Sequence, residues 1–278
     1  MKNKLNFFVT QKKILKEAGC SDYKESIRSL FSKAFGMSSD QRYDSKDHDN
    51  LNDNAMLFSA MVTRRAKGEP TSHIVRSRSF WKSDFYIDET VLDPRPESEL
   101  IIDVTKHLLF DRMKVLDLGC GSGCIGLSLY KENPSISLFL SDISKKALSV
   151  SRKNALELKA ECELIHSNLF ANINERFDLI VTNLPYIAKE DFFHLQKEII
   201  LFEPHEALYG GKCGLDVIKL FLSSVSKYLN SNGMFVIEFG KGQDTLLKHE
   251  LRRFNFNKFS FHRDLSHVNR IVCAKKDT

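Results

Sequence analysis

Apolar positions recur at helical spacing through the first eighty residues and then change rhythm. Over residues 10–19 and 23–35, Ile14, Leu15 and Ala18, then Ile27, Leu30, Phe31 and Ala34, share one side of a 3.6-residue period, which predicts two amphipathic helices. Ser21 and Asp22 stand where a short polar side chain caps the second of them. The stretch SSDQRYDSKDHDNLND, 38–53, has no apolar period and is rich in Asp and Asn, so it reads as a loop or a weak helix. Helix resumes over 55–67 and stops at Gly68 and Pro70. Residues 1–80 thus form a small helical domain in this reading.

Beyond residue 80 the period shortens. Phe80, Trp81, Phe85, Tyr86 and Ile87 predict a hairpin, and 81–96 is read as a hairpin and linker bridging two domains. The remainder, 97–278, alternates. Helices are expected over 97–109, 123–132, 144–158, 214–229 and 242–251, and strands over 113–118, 136–141, 162–166, 177–182 and 233–239. Two last strands, near 257–263 and 269–275, lack a long helix between them, so they should pair antiparallel. The fold class is α/β: an open, doubly wound, mostly parallel seven-stranded sheet with an antiparallel edge, preceded by the helical domain.

Composition narrows this little. Of 278 residues, 42% are hydrophobic and 28% charged, as in an ordinary soluble globular protein. No run of about 18 apolar residues occurs, so no membrane is expected as a partner. The opening MKNKLNFFVTQKKILK lacks the apolar centre of a secretory signal and the arginines of a transit peptide, and a cytoplasmic location is expected. The net charge of +5 is mild and does not require nucleic acid. Six cysteines are scattered, and the close pair Cys120 and Cys124 lies in a glycine turn without a companion pair or His cluster. Reduced thiols and no metal are the expectation.

Chemistry concentrates in two places. In MKVLDLGCGSGCIGLSLY, 113–130, an apolar strand runs into Gly119, Gly121 and Gly123 and then a helix, a turn that lets the backbone approach a ligand. Asp117 precedes it, and Asp142 ends the next strand 19 residues beyond Gly123, where an acid can take both hydroxyls of a ribose. This spacing alone leaves a nicotinamide cofactor and S-adenosylmethionine (SAM) both open. The second place is DLIVTNLPYIAKED, 178–191, where a branched apolar strand stops at Asn183-Leu184-Pro185-Tyr186. Read blandly, this is punctuation, since Pro cannot donate to a sheet and Asn favours turns.

DLGCGSG resembles the nucleoside-binding turn of class I SAM-dependent methyltransferases. The resemblance implies that Asp117 approaches the methionyl ammonium, that Gly119, Cys120, Gly121, Ser122 and Gly123 pass beneath the cofactor, and that Asp142 binds ribose. It places Asn168 and Leu169 of HSNLF beside adenine, with Asn183 also bordering the cofactor. Methyl transfer from a sulfonium is an in-line displacement, and an amide nitrogen is a poor nucleophile. The Asn183 side-chain oxygen and the Leu184 carbonyl can grip its two N–H bonds and fix the nitrogen, so catalysis would rest on positioning without a strong base. Tyr186 is expected to stack on the planar acceptor group.

NLPY resembles the (N/D)PP(Y/F) motif of amino-methylating SAM enzymes, with Leu184 in place of the first proline. RRAKGEPTSHIVRSRSFWKSDFYIDETVLDPRPESEL (64–100), FEPHEALYGGKCGLDVIKLF (202–221), VIEFGKGQ (236–243) and RDLSHVNRIVCAKK (263–276) are similar to the signature blocks of protein-(glutamine-N5) methyltransferases, which modify peptide-chain release factors. The chain departs from that pattern at His73, Asp93, Ser98 and Leu184. The resemblance implies that SAM is the cofactor and that class I release factors are the protein substrate. It also implies that the helical domain recognises the substrate, that Pro185 and Tyr186 shape the pocket, and that Pro94, Arg95, Pro96 and Glu97 wall it. Arg95 and Glu97 read equally well as an ion-pairing segment between domains. Arg64, Arg65, Lys67, Arg76 and Arg78 would grip the release factor or form a solvated basic face. A monomer is expected. An adenine-N6 methyltransferase of RNA or DNA, and a SAM-binding module without activity, are the alternatives.

Overall fold

The computed structural model describes residues 2–36 and 51–276. The polar stretch predicted over 38–53 lies outside the described residues as far as residue 50. The chain divides into two compact units, residues 1–77 with 196–202, and residues 78–195 with 203–278.

The first unit is helical: α1 (Lys2–Glu17), α2 (Tyr23–Phe35), α3 (Leu51–Ala66) and α4 (Thr71–Val75). Helix α3 starts four residues before the predicted boundary, and the short α4 has no counterpart in the sequence pattern. The predicted apolar faces of α1 and α2 meet here: Leu15, Ile27 and Leu30 are buried with Phe58, Val62 and Ile74. The Phe58 ring lies 5.6–6.2 Å from those of Phe7, Phe8 and Phe31, so a few aromatic residues fill much of a small core.

Asp22 sits at the N-cap of α2, yet its side chain makes no capping bond. Its carboxylate instead accepts from Ser26 Oγ (2.8 Å) and from Arg65 Nη2 (2.7 Å). Arg65 also donates to Glu198 Oε1 (3.0 Å) and is only 3% exposed. The expectation that Arg65 grips a partner is therefore corrected. A guanidinium left alone in this core would carry a heavy desolvation cost, and two carboxylates satisfy it from inside the unit.

The second unit opens with the hairpin β1 (Arg78–Phe80) and β2 (Ser83–Phe85), paired antiparallel. Phe80, Phe85 and Ile87 are buried in the core of this unit. Helix α5 (Glu99–Thr105) is flanked by single 3-10 turns at Pro96–Ser98 and Lys106–Leu108, so the predicted 97–109 helix is three short pieces. Then follow β3 (Lys114–Leu118), α6 (Cys124–Glu132), β4 (Ser137–Asp142), α7 (Lys145–Glu157), β5 (Cys162–His166) and β6 (Phe177–Thr182). After these come α8 (Lys189–Phe192), α9 (Lys197–Phe202, which lies in the first unit), α10 (Asp216–Val225), β7 (Leu229–Glu238), α11 (Asp244–Arg253), β8 (Lys258–Arg263) and β9 (Asn269–Lys275).

The sheet runs β5-β4-β3-β6-β7-β9-β8, parallel except for β9, which pairs antiparallel with both β7 and β8. Its central strands are apolar throughout because helices cover both faces. Alternation sorts them: Val115, Leu179 and Val181 join Ile101, Ile125 and Val150 in one core, and Leu116, Ile180 and Phe235 join Ile218, Phe221 and Leu247 in the other. Between β3 and β6 the strand order reverses. In open α/β sheets the crevice beyond the carboxyl ends at such a switch point is where ligands bind. The carboxyl ends of β3, β4 and β6 carry Asp117, Asp142 and, one residue past the strand, Asn183.

Candidate active site

A cavity of about 640 Å3 opens at that switch point. Its first half is the β3-to-α6 turn. Gly119, Gly121 and Gly123 have φ of 72°, 55° and 78°, a left-handed path that a residue with a Cβ would follow only under strain. The turn is moored to the neighbouring strand by Gly119 N–H and Cys120 N–H, both donating to Ser141 O (2.8 and 2.9 Å). Asp142 faces the cavity from the end of β4. One of its oxygens accepts from Gly121 N–H (2.9 Å) and the other from Ser144 N–H (2.8 Å), which fixes the carboxylate with lone pairs still open. Burial lifts this carboxyl above the usual aspartate range, against the pull of the backbone N–H groups.

Asp117 is 1% exposed and does not line the cavity. Its Oδ2 accepts from Gly126 N–H (2.8 Å) at the start of α6, and burial pushes its carboxyl up to about 7. Burial also pushes the thiols up, Cys124 to about 12 and Cys120 well above its ordinary value, which keeps both as neutral lining groups.

The second half is NLPY. Thr182 Oγ1 donates to Leu118 O (2.6 Å), tying the end of β6 to that of β3 just before the motif. Asn183 is half-buried, and its Nδ2 donates to Ser98 Oγ (3.1 Å). Ser98 Oγ donates in turn to Glu238 Oε2 (2.5 Å), and Tyr186 Oη donates to Glu238 Oε1 (3.0 Å). Burial raises the Glu238 carboxyl, and the Ser98 and Tyr186 donors hold it back. Among the described residues no donor engages Asn183 Oδ1 or the Leu184 carbonyl.

The main chain of the motif is clasped from behind. Gln243 Nε2 donates to Tyr186 O (2.8 Å) while its Oε1 accepts from Gly240 N–H (2.8 Å). Ile187 N–H donates to Leu208 O (3.0 Å), and Gly210 N–H donates to Ile187 O (2.9 Å). At Gly214, φ is 72° and a Cβ would collide with Tyr186 O; at Gly210 it would lie 2.6 Å from Pro185 O. Gly210 and Gly214 of GGKCGL are thus where the chain passes directly against the motif's backbone.

Of the residues predicted for the cofactor, Gly119, Cys120, Gly121, Ser122, Asp142, Asn168, Leu169 and Asn183 line the cavity; Asp117 and Gly123 lie behind it. Leu184, Pro185, Pro94 and Arg95 also line it. Pro96 and Glu97 are exposed and outside it. Tyr186 is likewise absent from the lining, its hydroxyl turned onto the buried Glu238. Arg95 donates from Nη2 to both oxygens of Glu203 (2.7 Å each), and Glu203 is 6% exposed. Arg78 is engaged too, with Asp93 (3.6 Å) and the Pro94 carbonyl (3.2 Å), so this wall is held by ion pairs within the unit. Ser98, Glu238 and Gln243 carry roles that the sequence did not disclose, although two of them sit in the block VIEFGKGQ.

A glycine cradle, an acid at the next strand end and an Asn at the switch point of this sheet order define a class I SAM-dependent methyltransferase. The cofactor is SAM, and the cradle's open backbone, the half-satisfied Asp142 and the size of the cavity suit a nucleoside carrying an amino-acid tail. Comparison with known proteins agrees. Residues 95–211 match the family described as Methyltransferase small domain, and residues 10–75 match the PrmC N-terminal domain. A methyltransferase from Pyrococcus furiosus superposes with a TM-score of 0.55 at 14% identity, covering 72% of this chain and 92% of the other. The 16S rRNA N2 G1207 methyltransferase of T. thermophilus, solved with AdoMet and guanosine, gives 0.51 at 18% identity over 72% of this chain and 50% of the other.

The relatives in sequence are more specific. The release factor glutamine methyltransferase of Koribacter versatilis is 35% identical over 230 residues, 81% of each chain. The chain belongs to the release factor glutamine methyltransferase family.

Proposed function

We propose that the chain transfers a methyl group from SAM to the side-chain amide nitrogen, N5, of the glutamine in the Gly-Gly-Gln motif of class I release factors. The observation that carries this reading is the orientation of Asn183. Its NH2 is spent on Ser98, which leaves its oxygen and the unengaged carbonyl of the adjacent Leu184 as acceptors on two residues that line the cavity. Two acceptors on adjacent residues match in number the two N–H bonds of a primary amide.

When bound, SAM supplies an electrophilic methyl on a sulfonium sulfur. Asn183 Oδ1 and Leu184 O accept the two N–H bonds of the substrate amide and aim its nitrogen lone pair along the line of displacement. As the nitrogen bonded to the methyl carbon, the carbon–sulfur bond would break with its electron pair left on a neutral thioether, and the two oxygens would stabilise the cationic nitrogen more than the neutral amide. The proton is then lost to water. Neither residue is basic, and Glu238 sits behind Ser98 and Tyr186, away from the reacting nitrogen. Leu118, Leu184, Val217 and Leu220 give the cavity an apolar wall that limits water around the nitrogen. The cradle residues and Asp142 hold the cofactor, with Asn168 and Leu169 beside its base. Pro94 and Arg95 wall the opening, and the helical unit recognises the release factor. No helix among the described residues is long and apolar enough to cross a membrane. The reading takes the protein as a cytoplasmic monomer that needs no nucleic acid.

The test is incubation with methyl-labelled SAM and a purified release factor, compared with the same factor carrying Ala for the Gly-Gly-Gln glutamine. Label should enter the first only. Equal labelling of both, or label in added RNA or DNA instead, overturns the proposal.

A further inference from the structure

Glu238 is a carboxylate at 1% exposure with no Lys or Arg within ion-pairing distance among the described residues, an arrangement that costs stability. Its two oxygens each accept one hydroxyl, from Ser98 and from Tyr186. Arg270, from β9, bears on it only through space, as does Glu97. Core packing gives no reason for an acid here, and the mechanism above does not use its proton.

A primary carboxamide has two ends of nearly equal shape. If Asn183 turned over, its NH2 would face the two N–H bonds of an incoming amide, donor against donor. The backbone of the motif does not prevent this, because the clasp by Gln243 and the glycines acts on the main chain of Pro185 and Tyr186 and beyond. What distinguishes the ends is the polarity of their neighbour. Both oxygens of Glu238 act as acceptors here, one toward Ser98 Oγ and the other toward Tyr186 Oη. Ser98 therefore spends its single proton on Glu238 and presents only lone pairs to Asn183, which must answer with Nδ2.

We propose that Glu238 and Ser98 are positioning residues that set the orientation of the Asn183 carboxamide, so that its oxygen faces the substrate. The direction of every hydrogen bond in the line is dictated by the buried acid at its end. The same acid receives Tyr186, so the side chains at both ends of NLPY answer to one carboxylate. This assignment rests on the glutamine-amide reading for its catalytic consequence, though its geometry can be tested without substrate.

The direct readout is the side-chain 15N–1H signal of Asn183 in the full chain, labelled selectively at asparagine. Slowed proton exchange at Nδ2 is expected in the wild type and should be lost in Ser98→Ala. With release factor and SAM, Ser98→Ala should lower kcat by about 10- to 100-fold with KM for the release factor within about threefold. Ser98→Thr, which keeps the hydroxyl, should restore most of the loss, whereas a purely structural role would show in Tm and SAM affinity for all variants alike. Glu238→Gln keeps the shape but offers one good acceptor to two hydroxyls, and should lose kcat to a similar degree. If that variant fails to fold, the Ser98 pair and the wild-type signal decide. Freely exchanging Asn183 protons in the wild type, or wild-type kcat in both Ser98→Ala and Glu238→Gln, overturns the assignment. A protected Asn183 in a wild-type enzyme that leaves the glutamine unmethylated supports the relay and removes the substrate reading alone.

Discussion

The two halves of the cavity are built on different principles. The cofactor half is local: one turn, a carboxylate fixed by backbone N–H groups two and twenty-one residues away, and strands that are immediate neighbours in the sheet. The acceptor half is assembled from afar. Asn183 is oriented by Ser98, 85 residues earlier, and Tyr186 is held by Glu238 and Gln243, 52 and 57 residues later. A cofactor common to many enzymes can be held by a portable turn. Aiming one amide nitrogen demands a frame in which several segments agree.

Separating the halves by mutation is the sharpest way to break this contrast. Asn183→Ala should cut kcat by about 1,000-fold while SAM affinity changes little, and Asp142→Asn should weaken SAM binding by about tenfold with kcat at saturating SAM nearly unchanged. Calorimetry with SAM and single-turnover methylation would measure both. If Asn183→Ala abolished SAM binding as well, the halves would be one site. Gly214→Ala tests whether the acceptor half really depends on its remote frame. Its Cβ would press on Tyr186 O and Gln243 Nε2, so kcat should fall by about 100-fold with SAM affinity retained.

The smallest effect concerns stability. Asp117 titrates at about 7 in the folded chain against 3.8 as a free side chain, so the native state binds its proton more tightly than the unfolded one. Stability is then lost as pH rises from 3.8 to about 7, and the loss is complete above that range. Asp117→Asn should remove this slope and raise the Tm of the cofactor-free protein at pH 8 by about 5 °C relative to wild type, with no gain at pH 4. Thermal melts at the two pH values would check it, and an unchanged difference between them would mean that Asp117 is ionised throughout.

The same contrast explains what could be read in the sequence. The alternating elements, the antiparallel edge and the glycine turn with its acid were legible because each depends on neighbours within about thirty residues. NLPY was legible as a motif, but Ser98 looks like a surface-turn serine and Glu238 like a strand end, since nothing local says that they meet. Arg65 misleads for a related reason. A charged residue on an amphipathic helix normally faces water, and its two carboxylate partners come from Asp22 and from the distant Glu198. Tyr186 is expected against the substrate, yet a buried acid with a lone pair to satisfy claims its hydroxyl.

The first unit borrows residues 196–202 from the middle of the second, and Arg65 grips Glu198 on that excursion. A single cut near residue 77 therefore does not separate two self-sufficient modules. An engineer who removed the amino-terminal helices to make a minimal enzyme, or grafted others in their place, would strand α9 without its guanidinium partner, tethered at Leu195 and Glu203 to the catalytic unit. Retargeting such an enzyme calls for exchanging both stretches of chain together.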